Sequence, residues 1–286
     1  MEPDARAEPA TPPSPIAAPI AAGGSIPAAL PSDLRGDYSQ AGADFSVKQD
    51  WPAYTPAEHA LYRRLYARQS RLVPKYACPE YNRALALLDA AEGIPRFEDV
   101  SRRLRAATGW EIVAVPGLIP DDAFFTHLAN RRFPVTVWIR KPEEFDYIVE
   151  PDVFHDFFGH VPLLFDAQYA DHLYEYGKGG LKALKLNGLT YLGRLYWHTI
   201  EFGLVSTPEG IRAYGAGLLS SGGELQYAVD SPEPRRDDLD LMTAMRTAYK
   251  IDSYQSTYFV IESFEQLLRE TAPDFAPLYA ELNRAV

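Results

Sequence analysis

Between Pro151 and Leu164 the chain reads PDVFHDFFGHVPLL, an apolar run interrupted by two histidines, His155 and His160, and by Asp156. A polar side chain buried without a partner costs roughly 1–3 kcal/mol. The two imidazoles therefore need partners, and what those partners are decides what kind of domain this is. Core histidines satisfied by backbone carbonyls are one reading; ligands of a metal ion are the other. Spacing leaves both open. On an ideal helix residues i and i+4 share a face, whereas i and i+5 stand about 140° apart. A five-residue gap converges only if the helix starts at the first histidine, or if the imidazoles reach to a point off the axis.

Working outward, the segment Tyr191–Val205 reads YLGRLYWHTIEFGLV, with Glu201 the lone carboxylate in an apolar helical run. A buried carboxylate must pair with a cation or a metal, or stay protonated. A salt bridge to Arg194 or Arg212 would satisfy it. So would a metal shared with His155 and His160. Two histidines and one carboxylate on one face of a metal, with three positions open, form the ligand set of mononuclear non-haem Fe(II) oxygenases. His198 and Asp156 are rival ligands. The remaining histidines, His59, His127 and His172, read as surface or half-buried polar residues. A third oddity, YGAGLLSSGGELQY from Tyr214 to Tyr227, is rich enough in glycine for a backbone to approach a ligand closely. It lacks the Gly-Lys-Ser/Thr of a phosphate loop and the strand that must precede a dinucleotide fingerprint. On composition alone it is a turn-rich loop.

Charge and cysteine usage narrow the field. The 286-residue chain carries a formal net charge of -11 and a pI near 5.1. Nucleic acid and anionic membranes call for clustered Lys and Arg, and no such cluster exists. Cys78 is the single cysteine, so an internal disulfide is impossible and multi-cysteine zinc sites are excluded. No apolar run nears the roughly 20 residues that span a bilayer, and the acidic, proline-broken opening is not a signal peptide. The expectation is a cytoplasmic protein. No G-x-S-x-G elbow is present.

Residues 1–43 are mostly Pro, Ala, Gly and Ser and read as a disordered tail. From residue 44 to 286 one domain is expected, mostly α with a few short strands (α+β). Thr55, Pro56 and Glu58 form a capping box at the start of a helix in which Leu61 and Leu65 recur with helical spacing. Further helices are expected at Glu80–Ala91, Phe97–Ala107, Tyr169–Lys185, Thr190–Phe202 and Leu239–Ile251, and near the C-terminus. Trp110–Val115 and Phe133–Ile139 read as strands flanking a helix that begins at Asp121 or Asp122.

Taken together and in order, PDVFHDFFGHVPLL, YWHTIEFGL and YGAGLLSSGGELQY resemble the catalytic domain of the tetrahydropterin-dependent aromatic amino acid hydroxylases. The stretch DFSVKQDWPAYTPAEHALYRRLYARQ resembles the short bacterial phenylalanine-hydroxylating members in particular. The resemblance runs from about residue 44 to the end. It implies an enzyme that hydroxylates L-phenylalanine to L-tyrosine, with Fe(II) and a tetrahydropterin together activating O2. It also implies roles for residues. His155, His160 and Glu201 match the iron ligands. Arg140 matches the arginine that grips the amino acid carboxylate, Ser220 a serine helping to hold that group, with Gly217 beside it, and Pro151 and Trp197 the walls of the ring pocket. Gly117, Leu118 and Ile119 match the loop that hydrogen-bonds the pterin edge. Phe124 matches the aromatic stacked on the pterin, and Asp156 and Tyr196 match residues near it. Ile251 occupies the place where phenylalanine-specific members carry a β-branched aliphatic. A monomer without a regulatory domain is expected. A binding protein without turnover and a zinc hydrolase are the alternative readings.

Overall fold

The computed structural model describes residues 34–88, 90–148, 150–250 and 253–284. Residues 1–33 and Ile251 lie outside that set.

The capping box forms as the sequence predicts. The Glu58 carboxylate accepts the Thr55 N–H (2.7 Å), Thr55 Oγ1 accepts the Glu58 N–H (3.2 Å), and helix α1 runs Pro56–Tyr76. Its buried residues Leu61, Leu65, Gln69 and Val73 fall four apart, one stripe along one face. Helices α2 (Pro79–Leu88) and α3 (Phe97–Ala107) follow, then strand β1 (Glu111–Val115), helix α4 (Asp121–Leu128) and strand β2 (Arg132–Thr136). The two strands pair in parallel, Glu111 opposite Arg132 and Val115 opposite Thr136. Four of the five residues in each are buried, which is why both read as apolar runs rather than alternating strands.

Next come helices α5 (Ala167–Ala183) and α6 (Leu189–Tyr196), strands β3 (Leu204–Thr207) and β4 (Gly210–Ala213), and short helices α7 (Ala216–Ser220) and α8 (Glu224–Asp230). Strand β5 (Arg235–Asp238), helix α9 (Leu241–Arg246), strand β6 (Thr257–Ile261) and helices α10 (Phe264–Thr271) and α11 (Ala276–Arg284) complete the chain. A second sheet has the order β4-β3-β6-β5, with β3 parallel to β6 and antiparallel to β4. The sequence reading contains none of these four strands. Each is only four or five residues long, and β5 is Arg-Arg-Asp-Asp, so none carries the alternation that marks a strand.

Three other expectations differ from the structure. His172 and His127 are buried rather than half-exposed. His172 Nδ1 meets Thr271 Oγ1 at 2.7 Å between α5 and α10, and His127 Nε2 donates to the Asp44 carbonyl (2.8 Å). The helix expected over 239–251 is only α9: Asp240 caps its start, and the Arg194 guanidinium donates to the carbonyls of Met245 and Arg246 at its end. Residues 34–43, grouped with the tail by composition, pack onto the domain through Arg35 and Tyr38. Among the described residues, no helix is long and apolar enough to cross a membrane.

Candidate metal centre

His155 and His160 do not sit on an ordinary helix. The segment His155–His160 is a π turn, and Trp197–Glu201, continuing α6, is a second one. In a π turn the hydrogen bonds run from i+5 to i rather than from i+4. The wider turn swings a residue five positions along back toward the face of the first. This resolves the spacing that had left the sequence ambiguous: the two imidazole rings lie with centroids 5.2 Å apart. Gly159 makes the turn possible, since a Cβ there would lie 2.8 Å from the Ala216 carbonyl oxygen and 2.9 Å from its Cβ. The π turn thus packs backbone to backbone on α7.

Glu201 reaches the same point from the second π turn. Its Oε1 lies 3.1 Å from His160 Nε2 and its Oε2 3.7 Å from His155 Nε2, all three side chains being buried. One ligand atom from each of the three falls within 4.8 Å of the others. Glu201 Oε1 has no hydrogen-bond partner despite its depth. Neither Arg194 nor Arg212 serves it; Arg194 is spent on α9, and Arg212 donates to the Ile211 carbonyl. His198, the rival ligand, donates to the Thr247 carbonyl instead (3.0 Å).

Protonation suits a cation. Burial pushes His155 down to about 4, so its imidazole is neutral at pH 7. Burial opposes ionisation of Glu201, but its contacts with the imidazoles, His160 above all, and a hydrogen bond from Tyr196 hold the group below its ordinary value. The tautomer of His155 is fixed as well. Ser220 Oγ spends its proton on the Ala216 carbonyl (2.9 Å), so it accepts from His155 Nδ1–H (2.9 Å). The lone pair is left on Nε2, facing Glu201, as a metal ligand requires. Two imidazoles and a carboxylate, buried and converging on one point, fit a divalent metal.

Two cavities flank this cluster. One is lined by Gly117, Leu118, Ile119, Phe124, Pro151, His155, Asp156, His160 and Tyr196. Asp156 accepts the Thr136 N–H there (2.8 Å), and desolvation raises its pKa. The other, of about 480 Å³, is lined by Arg140, Gly217 and Ser220 among others. Trp197 lines neither; it is buried between Tyr249 (4.2 Å, stacked) and Phe202 (4.7 Å). Sequence reasoning missed Asp152. Its carboxylate takes Arg140 Nε and Nη2 (2.8 and 2.9 Å) and also accepts the His155 N–H (3.0 Å), so one buried acid orients both residues. The signal was available: a buried arginine demands a carboxylate.

A model of the biopterin-dependent aromatic amino acid hydroxylase family matches residues 34–280. The chain belongs to that family. Among its relatives, the phenylalanine-4-hydroxylase of Chromobacterium violaceum is 56% identical over 243 residues, which cover 85% of this chain and 82% of that one. The Ralstonia nicotianae phenylalanine-4-hydroxylase is 54% identical over 84% of this chain and 77% of its own. Among solved structures, the C. violaceum phenylalanine hydroxylase bound to cobalt superposes with a TM-score of 0.84 at 56% identity, covering 85% of this chain and 88% of that one. This hydroxylase is therefore an iron- and pterin-dependent monooxygenase with a single mixed, mostly helical catalytic domain.

Proposed function

We propose that this hydroxylase converts L-phenylalanine to L-tyrosine. The observation that carries the reading is the buried His155–His160–Glu201 cluster, built by two π turns and flanked by a cavity on either side. The names of the relatives add the substrate.

His155, His160 and Glu201 would hold Fe(II). When bound, the iron would supply the activation of O2 together with a tetrahydropterin, which would serve as the two-electron donor to the oxygen atom that does not enter the ring. Arg140 would hold the substrate carboxylate, because a planar guanidinium grips a carboxylate through two charge-assisted hydrogen bonds. Asp152 takes the Nε–H and one Nη2–H, which leaves the end-on pair, Nη1–H and the second Nη2–H, for the substrate carboxylate. Ser220 has a double part: it orients His155 and lies beside Arg140 on the same cavity. Gly217 lets the substrate backbone approach that cavity, whereas Pro151 lines the opposite one and Trp197 is sealed between Tyr249 and Phe202, so neither is assigned to the ring wall. On the other side Gly117, Leu118 and Ile119 offer backbone groups to the pterin, with Phe124, Asp156 and Tyr196 around it. Burial keeps water away from the reacting centre until both substrates are in place. The protein acts as a monomer; its exposed large apolar side chains, Leu87, Leu184 and Leu186, form no broad patch among the described residues.

The test is tyrosine formation from L-phenylalanine with reconstituted Fe(II), tetrahydropterin and O2, beside a His155→Ala control. Tyrosine that depends on iron and pterin and disappears in the variant is the expected result. A folded, iron-loaded protein that makes no tyrosine would sink the assignment.

A further inference from the structure

The geometry points to Tyr38 as a positioning residue for the pterin: its hydroxyl sets the peptide plane between Leu118 and Ile119, so that the Ile119 amide faces the cofactor cleft as a donor. This rests on the reading of that cleft as the pterin site.

The loop Val115–Pro120 has no regular structure of its own beyond the end of β1, so something else must hold its peptide planes. A strap made of Arg35 to Tyr38 lies across it. Gly36 has φ +98°, and a Cβ there would fall 1.8 Å from the Pro116 carbonyl oxygen, so the two backbones touch. A Cβ on Gly117 would meet Tyr38 Oη at 2.8 Å and the Arg35 carbonyl at 3.0 Å, so the contact is close from the loop side too. The strap is anchored firmly. The Arg35 N–H donates to Glu150 (3.1 Å), its guanidinium grips both carboxylate oxygens of Glu144, and it lies over the Trp138 ring. Trp138 Nε1 in turn donates to the Pro116 carbonyl (3.1 Å).

Within that clamp, Tyr38 Oη–H donates to the Leu118 carbonyl at 2.9 Å. The peptide unit is planar and trans, so its C=O and N–H point in opposite directions. Holding the Leu118 carbonyl toward the strap therefore turns the Ile119 N–H the other way. Ile119 is buried, lines the cavity shared with His155 and His160, and among the described residues its N–H has no hydrogen-bond partner. A buried amide left unpaired is costly, and an acceptor on the pterin edge would satisfy it. Tyr38 touches neither cofactor nor iron; it acts through the loop.

The experiment is anaerobic calorimetry of tetrahydrobiopterin binding to the Fe(II)-loaded full chain, with Tyr38→Phe and Phe124→Ala as variants. Removing only the hydroxyl should raise the Kd for pterin roughly three- to tenfold, the range for one hydrogen bond. Iron content, Tm and the KM for phenylalanine should stay at wild-type values, while amide hydrogen exchange in the peptide containing Leu118 and Ile119 should speed up. An unchanged Kd in Tyr38→Phe beside a weakened Phe124→Ala would overturn the positioning role and leave the cleft assignment standing. Equal losses of pterin, phenylalanine and iron would overturn it too, by showing general loosening. If Phe124→Ala also binds normally, the cleft is not the pterin site, and both readings fall together.

Discussion

Ser220 and Asp152 do much of their work one step removed from the metal. Ser220 holds His155 in the tautomer whose lone pair faces Glu201. Losing such a partner typically costs 10- to 100-fold in metal affinity or activity. Ser220→Ala should accordingly weaken Fe(II) binding by about that range, read by chelator competition; an affinity within twofold of wild type would show the hydroxyl to be idle. Asp152 raises a sharper stake, because it and Arg140 are almost wholly excluded from water. Breaking a buried pair strands the surviving charge and costs about 3–5 kcal/mol. Arg140→Met should lower the urea midpoint by an equivalent amount as well as abolish phenylalanine binding, and a variant with unchanged stability would contradict the pairing. The donor types of the centre were legible in the sequence, since histidines and a carboxylate in apolar runs have few alternatives. Their supports were not. Ser220 lies 65 positions from His155, and nothing local to either residue announces the contact.

At the level of elements, the two π turns explain why a five-residue spacing defeats ordinary helical reasoning. The capping box, β1 and β2 were visible because their signals are local. The sheet β4-β3-β6-β5 was not, because its strands are short and its pairings reach from residue 204 to residue 260. The π turn at His155–His160 depends on its contact with α7. Gly159→Ala would force a Cβ against Ala216, and overpacking of that kind costs typically 1–3 kcal/mol. We expect a lower Tm together with reduced iron content, and a variant that keeps both would show that the turn can shift freely. Helix α8 contributes a pH-dependent tie. The buried Glu224 carboxylate accepts from the Gln255 N–H (3.0 Å) and the Tyr258 hydroxyl (2.7 Å), linking α8 to β6. Burial raises its pKa from 4.5 to about 7, against the pull of those two donors. The folded state thus holds the proton more tightly than the unfolded chain. The stabilisation is complete below about pH 4.5 and is lost as pH rises toward 7. Glu224→Gln should flatten the stability profile across that window, measured as urea midpoints at stepped pH; an unchanged slope would assign it to other groups.

At the scale of the whole molecule, the family match begins at residue 34, immediately before the strap that Arg35 and Tyr38 fasten to the domain. A chain starting at Leu34 should keep the Tm and turnover of the full protein, whereas one starting at Ala41 loses the Arg35 and Tyr38 contacts. Equal behaviour of the two truncations would remove any role for the strap. The parallel pairing of β3 with β6 also has a consequence in time. The Leu204 and Val205 backbones, which immediately follow the Glu201 turn, pair early with Ala213 and Arg212 on one side but find their second partners only at Val260 and Ile261. The far end of α1 is fastened to Ala213 by the Cys78 N–H (2.9 Å). Such distant closures are slow, since the entropy of closing the loops comes due before the contacts reward it. On a ribosome, the three ligands leave the exit tunnel well before the strand that steadies them. The seat for the metal is therefore complete only once β6 has joined β3.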